Sequence, residues 1–119
     1  MLDKPFADRF AAEWVAAWNS HDLDRVLAHY ADGAEMSSPF IAAVAGEASG
    51  TLRGKAALRA YWSAALAQFP DLRFELIDTF YSARSVAILY RSVQGLRAVE
   101  WLWFDRDGKV ARAAAHYDG

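Results

Sequence analysis

The chain has 119 residues, is 55% apolar and 14% aromatic, and carries a net charge of −2. That length and aromatic bulk exclude a disordered chain and a small scaffold dependent on staples. An isoelectric point near 5.9 excludes the basic footprint of a nucleic-acid binder, and the absence of Cys removes disulfides, thiolate nucleophiles and most structural zinc sites. The first residues, Met1 to Asp8, lack the apolar core of a secretory signal, and no apolar run approaches the ~20 residues of a membrane span. The expectation is one cytoplasmic domain over residues 1–119, with no membrane partner.

Phe6, Phe10, Trp14 and Trp18 recur at spacing four, with Ala7, Ala11 and Val15 beside them, which predicts a first helix with one broad apolar stripe. Asn19-Ser20-His21-Asp22 breaks it, and Asp22 suits the N-cap of a second helix carrying Leu23, Val26, Leu27 and Tyr30. Asp32-Gly33 reads as the turn ending that helix. Residues 34–38 alternate like a short strand, stopped by Pro39. Residues 40–53 are left without an assigned conformation. Gly54 opens a third helix with Leu58, Tyr61, Trp62, Ala65, Leu66 and Phe69 inward, stopped by Pro70-Asp71.

Four strand-like runs follow. Leu72 to Tyr81 alternates, with Phe74, Leu76 and Phe80 on one face. Val86 to Val93 and Leu96 to Phe104 flank Gln94-Gly95, read as a two-residue hairpin turn. Asp105-Arg106-Asp107-Gly108 is the next turn, and Lys109 to Tyr117 the last run. Helices segregated from strands predict an α+β fold: a curved antiparallel sheet wrapped around three N-terminal helices.

The residues carrying a family resemblance are Trp18 to Asp24, Tyr30-Ala31-Asp32, Ser37-Ser38-Pro39, Leu52 to Leu58 and Phe104 to Val110. In this order and spacing they resemble the nuclear transport factor 2-like superfamily, with its ketosteroid isomerases, SnoaL-type polyketide cyclases, limonene epoxide hydrolases and scytalone dehydratases. The resemblance implies a cone-shaped cavity between sheet and helices, and a homodimer. One fold serves many chemistries here, so function is argued from the site.

Laid on the ketosteroid isomerase pattern, the position of the oxyanion-donating Tyr is Trp14, that of the general-base Asp is Ser38, and that of the protonated Asp is Glu100. Trp14 keeps a donor in its indole N–H, and Glu100 keeps a carboxyl. Ser38 is the departure, because an unactivated hydroxyl does not take a proton from carbon as a carboxylate does. The epoxide-hydrolase pattern is incomplete, with Ala115 where its second Asp would fall.

Glu100 is the lone charge in Val99-Glu100-Trp101-Leu102-Trp103-Phe104. Counting from a Gln94-Gly95 turn sets Leu89 opposite Glu100 and Arg91 opposite Ala98, so that Arg91 and Glu100 become diagonal neighbours. They form either an acid–guanidinium pair on a cavity wall or an ion pair on the outer face. On the same count Trp101 and Trp103 share the other face with Val86, Ile88 and Tyr90. That face is too apolar to stay wet and calls for a second copy of the chain, unless the phase is reversed and the Trp pair is core. Trp14, Trp18, Trp62 and Ser38 are candidate ligand contacts, with Tyr117 on the inner face of the last strand and His116 outside. Ala87, Ala111, Ala113 and Ala115 leave room between aromatic walls. The three His are scattered, so no metal site is expected, and no cofactor is implied.

Three readings compete: an isomerase, cyclase or lyase using Glu100 on a small hydrophobic molecule, a non-catalytic carrier of such a molecule, and a dimerisation module filled by its own aromatics.

Overall fold

The computed structural model describes residues 1–119. Helix α1, Lys4–Ser20, starts where the Asp3 carboxylate accepts from the Phe6 N–H at 2.9 Å. It ends at His21, whose backbone is left-handed at φ 60 and whose N–H returns to the Trp18 carbonyl. Asp22 then caps α2, Leu23–Leu27, through the N–H groups of Asp24 and Arg25, as its position predicts.

The second helix is shorter than its apolar spacing suggests. Tyr30 belongs to strand β1, Tyr30–Ser37, and Asp32-Gly33 lies within that strand rather than in a turn. The cause is non-local: Tyr30 pairs in parallel with Val110, and the Val110 N–H donates to the His29 carbonyl at 2.8 Å. An irregularity in the ladder between Tyr30 and Glu35 absorbs the extra residues. Residues 40–53 contain α3, Ile41–Ala45, and the short strand β2, Thr51–Arg53. Helix α4, Lys55–Gln68, follows Gly54, whose φ of 87 favours glycine.

The remaining strands are β3, Glu75–Tyr81, β4, Ser85–Arg91, β5, Arg97–Phe104, and β6, Val110–Tyr117. The six strands form one curved, open sheet in the order β2-β1-β6-β5-β4-β3, antiparallel except for β1 beside β6. The fold is therefore α+β. Phe10, Trp14 and Trp18 of α1 and Leu58 and Trp62 of α4 pack into the inner face, together with Ile88, Leu102 and Ala113.

Strand phase departs from the sequence expectation in two places. In β3 a bulge between Leu76 and Asp78 turns Leu76 and Phe80 to opposite faces. Between β4 and β5 the link is the three-residue turn Val93–Gly95, closed by the Ser92 N–H donating to the Leu96 carbonyl at 2.7 Å. Ile88 therefore pairs with Glu100, Tyr90 with Ala98, and Arg91 with Arg97. One residue of shift reverses every side chain of β4 relative to the two-residue count. Val86, Ile88 and Tyr90 face inward with Glu100, and Arg91 faces outward.

Candidate functional site

The inner face of the sheet and the helices enclose a cavity of about 300 Å³. Trp14 and Trp18 come from α1, Tyr61 and Trp62 from α4, and Tyr90, Glu100, Ala115 and Tyr117 from the sheet. The exposed lining residues Phe40, Val44, Gln68 and Gln94 mark its mouth. Aromatic rings build the walls. Trp14 stacks on Phe74 at 5.6 Å between centroids and meets Tyr90 edge-on at 5.1 Å, while Trp18 meets Trp62 edge-on at 5.2 Å.

Glu100 is only 2% exposed, on the central strand β5. The Tyr90 hydroxyl donates to its Oε1 at 3.1 Å. Burial pushes the Glu100 carboxyl up to about 8, against the opposing pull of that hydrogen bond. No Lys, Arg or His lines the cavity to offset the burial. The hydroxyls of Tyr61, Tyr90 and Tyr117 lie close enough that a charge on Glu100 would raise their own pKa values, and burial raises them further. The lining is thus mostly apolar with one neutral acid at its centre, held by a tyrosine.

Of the residues singled out from sequence, Trp14, Trp18, Ser38, Trp62, Glu100 and Tyr117 converge on this cavity. Arg91 does not. It is exposed on the far face, where its guanidinium donates to the Gly95 carbonyl at 3.2 Å. The expected Arg91–Glu100 pairing is corrected by the three-residue turn. The role foreseen for the Trp14 N–H also changes, because it donates to the Tyr30 hydroxyl at 3.1 Å. The indole N–H without a partner is that of Trp18, which is fully buried. Ser38 follows β1, and its Oγ accepts from the Phe40 N–H at 3.3 Å, which ties it to the start of α3. Of the four small strand residues, Ala115 lines the cavity. Ala87 pairs with the outward Trp101.

Tyr90, Ser92 and Gln94 are among the lining residues that the sequence reading missed. The three-residue turn, with Gln94 and Gly95 both left-handed, places them there, and no local sequence signal separates it from a two-residue turn.

The histidines stay apart. His21 Nε2 lies 2.7 Å from the Leu72 carbonyl, His29 lies 3.3 Å from Glu13, and His116 is exposed on the outer face. No group of three His, Asp or Glu side chains is placed to hold a metal ion. No helix is long and apolar enough to cross a membrane.

The SnoaL-like domain matches residues 11–113 of the chain. A SnoaL-like protein of unknown function from Burkholderia thailandensis is 53% identical, with 98% of each chain covered and a TM-score of 0.95. A candidate isomerase of the SnoaL-like family from Agrobacterium tumefaciens shares the fold at 18% identity, with 95% and 97% coverage and a TM-score of 0.76. So does IdmH, a candidate polyketide cyclase from Streptomyces antibioticus, at 22% identity, 94% and 91% coverage and a TM-score of 0.73. Among curated proteins none matches. By the domain match over most of its length and this level of identity, the chain belongs to the SnoaL-like family.

Proposed function

We propose that the cavity takes up a small, flat, hydrophobic carbonyl compound, and that neutral Glu100 donates to its carbonyl oxygen in an isomerase, cyclase or lyase reaction passing through an enol. The observation carrying this reading is the Glu100 carboxyl, buried on an aromatic cavity wall with no cation in the lining. A carboxyl in that setting keeps its proton at neutral pH, and its O–H is a strong donor in a dry site. Its pKa of about 8 lies near neutrality, so the proton can be lent and recovered at little cost.

Geometry sets which oxygen gives the proton. Oε1 accepts from Tyr90, so the proton of the neutral acid belongs on Oε2. Oε2 has no partner in the protein, yet the Trp18 indole nitrogen is the one polar side-chain atom both wholly buried and unpartnered. Oε2 therefore keeps contact with the cavity space. The lining holds no second carboxylate and no imidazole, and Ser38 stands where the isomerase pattern has its base. The fitting substrate is a carbon acid activated by its own substituents: its α-proton passes to solvent water entering at the cavity mouth as the Oε2–H of Glu100 passes to the carbonyl oxygen, and the carboxylate regains a proton from that water. A candidate isomerase and a candidate polyketide cyclase share the fold. The proposal includes a homodimer formed through the outer face of the sheet. The replacement of the base by Ser38 favours a second reading, binding without turnover.

A naphthyl methyl ketone tests this. Its binding quenches the cavity Trp fluorescence, and its carbonyl stretch reports a hydrogen bond. The expected result is a carbonyl band at lower frequency in the complex, with affinity falling about tenfold per pH unit well above pH 8 as Glu100 ionises. Glu100→Gln should bind without that pH dependence and lose exchange of the methyl hydrogens with deuterium oxide. Exchange by the native protein alone supports an enzyme, and binding without exchange, repeated with a naphthyl 1,3-diketone as the activated carbon acid, supports a carrier. No binding, or a carbonyl band unchanged in Glu100→Leu, contradicts the proposal.

A further inference from the structure

Polar groups near the cavity mouth have no part in the Glu100 chemistry. Ser92 continues β4 in extended conformation, two residues or roughly 6.5 Å beyond Tyr90 on the same face. It is 7% exposed and lines the cavity, and its N–H is taken by the Leu96 carbonyl. Its hydroxyl makes no hydrogen bond within the protein and, by the argument applied to Oε2, keeps contact with the cavity. Gln94, in the turn that follows, is held in the left-handed region at φ 59 and ψ 24. A side chain there costs on the order of 1 kcal/mol relative to glycine. The cost is borne by an amide-bearing residue that lines the cavity at its mouth, where Gln68 of α4 is a second. No Asp, Lys, Arg or His touches the cavity, and Glu100 is its one carboxyl.

We propose that Ser92 and Gln94 are specificity-determining residues, and that the ligand is a neutral molecule oxygenated at both ends. A carbonyl at one end meets Glu100, and a hydroxyl or second carbonyl at the other is held by the Ser92 hydroxyl and the Gln94 carboxamide. The inference rests on the reading of Glu100 as the carbonyl donor and adds the class of substrate. Anions are excluded at either end, since a carboxylate brought into this lining would lose its hydration with no cation in compensation.

Three probes test it: the naphthyl methyl ketone, the same ketone with a hydroxyl on the far ring, and the same ketone with a carboxylate there. The native protein should bind the hydroxyl ketone about fivefold to tenfold more tightly than the plain one, the gain of one net hydrogen bond. The carboxylate ketone should bind at least about tenfold more weakly than the plain one. The double variant Ser92→Ala, Gln94→Gly should bind the plain and hydroxyl ketones equally. Glycine suits the left-handed backbone at position 94, so the variant keeps its fold, which thermal unfolding verifies. If the native protein shows no hydroxyl preference, or the double variant retains it, while the Glu100-dependent carbonyl band persists, the assignment of Ser92 and Gln94 is overturned and the Glu100 reading stands. If no ketone binds, both are overturned.

Discussion

Glu100 is subject to two opposing influences. Burial penalises its charge, while the Tyr90 hydroxyl favours it, and burial wins, leaving the carboxyl near 8 instead of its ordinary 4.5. The consequence for stability has a definite sign. Between about pH 4.5 and pH 8 the unfolded chain has released a proton that the folded chain retains, so stability falls as pH rises through that window. The slope approaches about 1.4 kcal/mol per pH unit and flattens above pH 8. Glu13 behaves oppositely. A hydrogen bond from Arg25 holds it down to about 2, so its contribution is present above its ordinary 4.5 and fades only in acid. Urea unfolding at pH 5 and pH 8 therefore isolates Glu100. The native protein should lose stability relative to Glu100→Gln by an amount on the order of several kcal/mol, and parallel behaviour would contradict a neutral buried acid. Glu100 was legible in the sequence because a lone acid among strong strand formers has few bland explanations. The Trp14 hydrogen bond was not, because its partner Tyr30 read as helical and reaches the core only through the parallel pairing with β6.

At the scale of elements, α1, α4 and the last three strands were readable from periodicity, since each carries a long apolar face with a clear punctuating residue. What escaped was register. Gln94-Gly95 satisfies the composition of a two-residue turn, and nothing local distinguishes it from the three-residue turn actually formed, which the Ser92–Leu96 pairing closes. That single residue exchanged Tyr90 for Arg91 at the site. It also moved Val86 and Ile88 from the outer face to the core. β1 was misread at its first half for a related reason: its partner strand lies about eighty residues away in the chain, beyond any local window. The α3 segment is a five-residue helix held inward by Ile41 alone, too short to imprint a period.

For the whole molecule, the corrected phase leaves an outer sheet face still rich in large apolar side chains. Phe80 is 55% exposed and Trp101 40% exposed, aligned on one row of the sheet through Ala87. Trp101 stacks on Trp103 at 5.8 Å, and the Arg112 guanidinium lies 4.2 Å above the Trp103 ring. These side chains fall on one face of the sheet rather than singly over the surface. The proposed dimer covers it with the same face of a second chain. Light scattering at micromolar concentration should return about twice the chain mass, and Trp101→Glu should return one chain mass with the helical circular dichroism intact. A monomeric native protein would contradict the dimer while leaving the cavity untouched.

A neutral acid inside an aromatic cavity underlies the proposed chemistry, and the carboxyl carbon of Glu100 reports it directly. With the glutamate side chains labelled with carbon-13 and Glu100→Gln used to assign the resonance, titration should give a midpoint near 8. A midpoint near the ordinary glutamate value of about 4.3 would show a hydrated, ionised side chain, and both the cavity chemistry and the ligand class drawn from it would fall.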